Sequence, residues 1–143
     1  MSVDESHVEE AALSWLGDLG YTIGHGPQMA PGEPAAERMS FSDVVLVGRL
    51  REAIWQLNPT IPREAREEAL LKVLRADTAS LLGNNRAFHR MLRDGVEVEY
   101  KRPDGSIAGD RVHLLSFADA AANDWLAVNQ FTVIEGQHNR RPD

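Results

Sequence analysis

Cysteine is absent from the 143 residues, which excludes a disulfide framework and any thiolate metal site. No run of eighteen apolar residues occurs, so no segment reads as a membrane-spanning helix. The opening, Met1-Ser2-Val3-Asp4-Glu5, is acidic and lacks the apolar stretch of a secretory signal. The cytoplasm is therefore the expected compartment. There is no Walker A motif or other phosphate-cradling glycine-rich loop, so ATP is not expected to bind this stretch. His7, His25, His89, His113 and His138 lie far apart and show no zinc spacing. Repeats and low-complexity tracts are lacking too. Basic charge is scarce at the front: residues 1–43 hold eight acids and one base, Arg38, whereas residues 44–143 hold fourteen of each, for a net charge of −7. That balance excludes nucleic-acid binding over the whole surface. It leaves room for a local basic edge. Arg140-Arg141 is one candidate, with a solvated arginine pair beside a turn as the even alternative.

What is present suits one soluble domain with a real core, at 43% hydrophobic and 26% charged residues. Ser6 followed by Glu9 fits a capping box. It predicts a helix to about Leu19, with Val8, Ala12, Trp15, Leu16 and Leu19 on one face and Gly20 as its C′ residue. Glu9 borders that apolar face, because Ala12, Leu13 and Leu16 follow at three, four and seven residues; the same steps from Glu10 reach Leu13, Ser14 and Gly17. A carboxylate beside a buried face is either a cap or a site residue. Tyr21–Ile23 reads as a short strand, and the proline- and glycine-rich residues 24–39 read as a loop containing His25. Helices are expected at about Val44–Leu57, Arg63–Leu74 and Asn85–Arg93. Asn58–Pro62 breaks the first of these from the second, and Gly83 sets a short Ala79–Leu82 piece apart from the last. Val96–Tyr100 alternates as a strand should. A turn at Lys101–Gly105 and a loop at Ser106–Asp110 lead to a returning strand at Arg111–Leu115. A helical turn is expected at Ala118–Asn123.

The last stretch carries the most information. Trp125–Ile134 is rich in β-branched and aromatic residues and reads as one largely buried strand. A polar turn, Glu135–Asn139, then precedes Arg140-Arg141-Pro142-Asp143. Pro142 cannot donate to a sheet and suits the first residue of a new strand.

Several pieces occur together and in order: Val8-Glu9 through Leu19-Gly20-Tyr21; Asn85-Arg86-Ala87-Phe88-His89 with Gly95-Val96-Glu97-Val98; Asn129-Gln130-Phe131-Thr132-Val133 closing on Arg140-Arg141-Pro142-Asp143. The set resembles the amino-terminal region of the restriction (R) subunit of type I restriction–modification enzymes, over nearly the whole chain. The resemblance implies a bacterial or archaeal origin and an α/β (α+β) fold: N-terminal helices packed with a β-hairpin and a mixed sheet. It also implies that residues 1–143 are a single, incomplete PD-(D/E)xK endonuclease domain, cut at its first catalytic aspartate and lacking the ATPase motor. Without the later strands of that sheet the 125–134 strand has an open edge that invites pairing with another chain, so dimerisation or aggregation is expected. In the family, an Mg²⁺-dependent, ATP-driven endonuclease cleaves DNA in complex with modification and specificity subunits. Transferred residue by residue, Asp143 becomes the first metal-binding aspartate and Glu9 the glutamate that the first helix points at the metal. Arg140 and Arg141 become candidate DNA contacts beside the motif. The resemblance moves Glu9 towards the site role. The family continues into a Glu-x-Lys and a glutamine–tyrosine motif after the aspartate, and these do not follow Asp143 here.

Mg²⁺ stabilises charge in phosphodiester cleavage and makes a water nucleophilic when carboxylates fix its position. A lone aspartate would hold it poorly, so the fragment is expected to be inactive by itself, with ATP needed only by the motor. The alternative is a non-catalytic scaffold or interaction module, whose acidic first 43 residues would meet a basic partner.

Overall fold

Asp4, two residues before the expected serine, caps the first helix, α1 (Glu5–Asp18). Its Oδ1 accepts from the His7 backbone N–H at 3.2 Å and from the Ser6 hydroxyl at 2.6 Å. A carboxylate at this end also meets the positive pole of the helix, so Ser6 becomes a first-turn residue. Glu9 is thereby released from the expected capping box. The far end follows the expected glycine rule. Gly20 adopts a φ of 97°, and the Gly20 and Tyr21 N–H groups donate back to Gly17 and Leu16 at 3.0 and 3.1 Å, the paired bonds of a Schellman stop.

The computed structural model describes residues 4–75 and 77–142, so Asp143 lies outside the described residues. The chain forms two units, one running to Val47 and resuming at Asp124, the other covering Gly48–Asn123.

In the first unit α1 leads into β1 (Thr22–His25), which extends two residues beyond the expected end, so His25 ends a strand and does not sit in the loop. A short 3₁₀ turn, Gly26–Met29, follows. β1 pairs in parallel with a strand from the far end of the chain, Leu126–Asn129, with His25 opposite Asn129. The expected single strand over 125–134 is in fact two. The chain leaves the ladder at Gln130, whose φ is 52°, and resumes as Val133–Glu135, which pairs antiparallel with His138–Arg140. The expected polar turn is therefore shorter than Glu135–Asn139, and Arg141 and Pro142 follow as irregular chain with no strand at Pro142. The buried side of α1 is also rotated from the expectation. Leu13 and Leu16 are more sheltered, while Val8, Trp15 and Leu19 are 60%, 69% and 76% exposed.

In the second unit α2 (Val47–Leu57) starts three residues late, and α3 (Arg63–Leu74) has the expected bounds. α4 (Leu81–Asp94) absorbs Gly83 into its first turn, because Ser80 caps the helix by accepting from the Gly83 N–H at 3.1 Å. β2 (Val96–Lys101) and β3 (Ile107–Val112) form an antiparallel hairpin. β3 begins four residues early because Arg102–Ser106 alone makes the turn. The core is Ile54, Ile61, Ala65, Ala69, Leu70, Val96, Val98, Ala108, Val112 and Leu114. Buried Asn58 ties the α2 end to the hairpin: its amide donates to the Ile54 and His113 carbonyls and accepts from the His113 N–H. A short 3₁₀ turn at Ala120–Ala122 closes the unit.

With the remaining strands numbered in chain order, β4 is Leu126–Asn129, β5 Val133–Glu135 and β6 His138–Arg140. The architecture is mixed α and β. Helices, a β-hairpin and strands of both senses are present as expected, and among the described residues one parallel and two antiparallel pairs form three two-stranded sheets. Among the described residues no helix is long and apolar enough to cross a membrane.

Candidate active site

Glu9 is half-buried on α1, on the side that meets β4. Its Oε1 accepts from Asn129 Nδ2 at 2.6 Å and from Gln130 Nε2 at 3.1 Å. Asn129 continues the chain of contacts: its Oδ1 lies 2.7 Å from His25 Nδ1 on the neighbouring strand. Residues more than one hundred positions apart are thus joined as His25–Asn129–Glu9–Gln130. The parallel register produces this, since His25 and Asn129 are partners at the carboxyl ends of β1 and β4.

A pocket of about 280 Å³ opens beside Glu9. α1 lines it with Glu5, Val8, Ala12, Leu13 and Leu16, and β4 with Ala127, Val128 and Asn129. One wall is aliphatic, and the polar rim carries the carboxylate and the amide.

The corner at Gln130 has its own anchor. Arg38 is only 5% exposed. Its guanidinium lies 3.8 Å from the centre of the Phe131 ring and 5.3 Å from that of Phe41. It donates to the Thr132 carbonyl at 2.6 Å and to the Asp43 and Phe41 carbonyls at 3.2 and 3.4 Å. Burial pushes its pKa down, and the nearby Asp43 charge opposes that shift. The arginine ties the end of the 26–43 loop to the residues just after Asn129-Gln130.

Of the expected site residues, Glu9 is placed in a polar cluster. Asp143 lies outside the described residues, so the pairing of the two carboxylates does not arise in the described geometry. Arg140 is exposed on β6 and donates to the Asn139 carbonyl, and Arg141 is exposed beyond it. No hydrogen bond or ion pair links either arginine to Glu9. Among the described residues no three histidine, aspartate or glutamate side chains cluster as a metal site. Sequence reading missed Asn129, Gln130, His25 and Arg38. A polar pair interrupting an apolar run was the available signal for the first two. Nothing local marks the others.

The geometry can be set beside known proteins. The model of the type I restriction enzyme R protein N terminus matches residues 2–143. This chain belongs to that family. It is 32% identical over 142 residues, 99% of its length, to the type I restriction enzyme HindI endonuclease subunit of Haemophilus influenzae. It is 33% identical over 139 residues, 95% of its length, to a protein of Methanocaldococcus jannaschii provisionally named the type I restriction enzyme MjaIXP endonuclease subunit. The chain spans 13% of the length of each of these relatives. No solved structure matches it. For an R protein N-terminal region, the cluster around Glu9 joins two of the segments that carry the family resemblance, Val8-Glu9 and Asn129-Gln130.

Proposed function

We propose that this chain is the leading part of the nuclease domain of a type I restriction R subunit, with Glu9 as one metal carboxylate and Asp143 as the other. The observation that carries this reading is the grip of Asn129 and Gln130 on Glu9 at the carboxyl end of β4, beside a pocket between α1 and β4; ligands of parallel α/β sheets collect at the carboxyl ends of strands. The donor set fits a hard cation. Glu9 offers oxygen, and the side-chain amides of Asn129 and Gln130 present oxygen when turned over, the ligand type that Mg²⁺ takes. Bound there, Mg²⁺ would supply Lewis acidity and a nucleophilic water for phosphodiester hydrolysis. Glu9 and Asp143 would hold it. Arg140 and Arg141 would meet the phosphates of the DNA. ATP-driven translocation and contact with modification and specificity subunits would belong to sequence outside these residues, and the 143 residues alone would be inert.

The test uses the full-length subunit assembled with its partners on a plasmid bearing the recognition site. Glu9→Gln and Asp143→Ala should each lower cleavage by about a hundredfold with ATP hydrolysis retained. Cleavage by Glu9→Gln at the unsubstituted rate would remove Glu9 from the site. The source gene gives a second check: a strand and then Glu-x-Lys should be encoded after Asp143.

A further inference from the structure

Residues 78–93 contain no acid and hold Arg86, His89, Arg90 and Arg93, in a chain of net charge −7. This segment includes Asn85-Arg86-Ala87-Phe88-His89, whose chemistry the Glu9 site leaves unused. α4 carries Asn85, Arg86, His89 and Arg90 at helical steps of three and four. These four side chains line an open depression of about 420 Å³. Arg93 is engaged elsewhere, bound to Asp94 at 2.6 and 2.7 Å. Arg86 and Arg90 make no ion pair or hydrogen bond with a described residue. Other cations of the same unit are engaged: Arg51 with Glu67, Lys72 with Glu68, Arg75 with Asp77, Arg111 with Glu97, and Arg66 over the Trp55 ring. No α4 residue is buried, so the two arginines are not placed there by core packing. The start of the helix is nevertheless fixed. Thr78 and Asn84 exchange three hydrogen bonds of 2.9 to 3.1 Å, and Ser80 caps the first turn.

We propose that this face of α4 is a docking surface for the backbone of duplex DNA, gripped by Arg86 and Arg90 with Asn85 and His89 as flanking hydrogen-bond donors. Arginine forks match phosphate geometry, and about 6 Å along the helix axis separates the pair, roughly twice the ~3.4 Å at which the phosphates of one strand recur along the duplex axis. Leu81, Leu82 and Phe88 of the same helix are exposed, but the four residues lining the depression are two arginines, an asparagine and a histidine, and arginine forks one turn apart suit a phosphate backbone better than the carboxylates of an acidic protein. The inference rests on the proposal that DNA is the substrate, and it adds a contact surface remote in sequence from Arg140 and Arg141.

The test measures binding of the complete chain to a fluorescein-labelled duplex of about 30 base pairs, roughly three helical turns, across a salt series. Arg86→Gln/Arg90→Gln keeps helix-forming residues and should weaken binding at least tenfold at low salt. It should also flatten the plot of log affinity against log salt by about 1.8, since each phosphate that the protein ceases to neutralise lowers the slope by about 0.9. Arg86→Lys/Arg90→Lys should restore the slope. Lys101→Gln/Arg102→Gln, which removes two exposed cations of the same unit, should leave affinity and slope unchanged. Circular dichroism confirms that each variant is folded. An unchanged slope in the glutamine pair, an equal loss in the Lys101/Arg102 control, or binding to polyglutamate and not to duplex overturns the proposal. The Glu9→Gln cleavage assay separates the two ideas. Lost cleavage with unaltered α4 binding sinks the α4 surface alone, and lost α4 binding with unaltered Glu9→Gln cleavage sinks the Glu9 site alone.

Discussion

Arg38 is the sole base among the first 43 residues and the only buried ionised side chain among those described. A charge out of water is tolerated only when its donors are satisfied; three carbonyls and two aromatic faces do most of that here. Its contacts end on Phe131 and Thr132, next to the residues that hold Glu9. Arg38→Met should destabilise the first unit by about 3 kcal/mol, the combined scale of charge-assisted hydrogen bonds and a cation–π contact. Arg38→Lys should recover less than half of that, since a point charge cannot reproduce a planar fork. Urea denaturation followed by Phe131-proximal NMR signals measures both, and a loss under about 0.5 kcal/mol, as at an ordinary surface site, would mean that Arg38 is not the anchor.

The parallel pair of β1 and β4 brings the two ends of the sequence together, and its corner leaves no room for error. A side chain on Gly26 would overlap the Gln130 backbone carbonyl, which cannot swing aside as a flexible side chain could. Gly26→Ala should therefore cost about 2–3 kcal/mol and displace the Asn129 and Gln130 amide resonances. Unchanged stability would show that the turn relaxes freely. α1 carries a pH dependence of its own. The Ser6 hydroxyl and then the His7 N–H hold the Asp4 pKa below its ordinary 3.8. A depressed folded pKa means that the cap contributes fully above about 3.8 and is lost as the pH falls through the lower folded value. Amide shifts of Ser6 and His7 should move in that acid range, and Asp4→Asn should abolish the movement.

Charge divides between the two units. The first carries eleven acids and three bases, and the second eleven acids and twelve bases. The acidic first unit repels polyanions away from its Arg140-Arg141 edge, so the DNA contacts proposed on α4 fall in the unit whose charge is nearly balanced. β4 pairs on one edge only among the described strands, and exposed ladder edges recruit further strands. Concentration-dependent self-association is expected in sedimentation equilibrium, and a monomer at every concentration would overturn it.

The sequence alone determined what depends on local chemistry. The Asn58–Pro62 break located the start of α3, strict alternation marked β2, glycine at C′ ended α1, and the ordered motifs carried the family. Boundaries moved where a neighbouring residue competed for the same backbone groups: Asp4 displaced Ser6 as cap, and Ser80 drew Gly83 into α4. Local reading could not see that the run over 125–134 breaks at Gln130, because the break is stabilised by Arg38, far earlier in the chain. Nor could it give Glu9 its partners. Whether Glu9 served as a cap or faced a site depended on which strand lay against α1. Tertiary structure decided that, because only the parallel register of β1 and β4 places Asn129, Gln130 and His25 so that they link to one another through that carboxylate and the Asn129 amide.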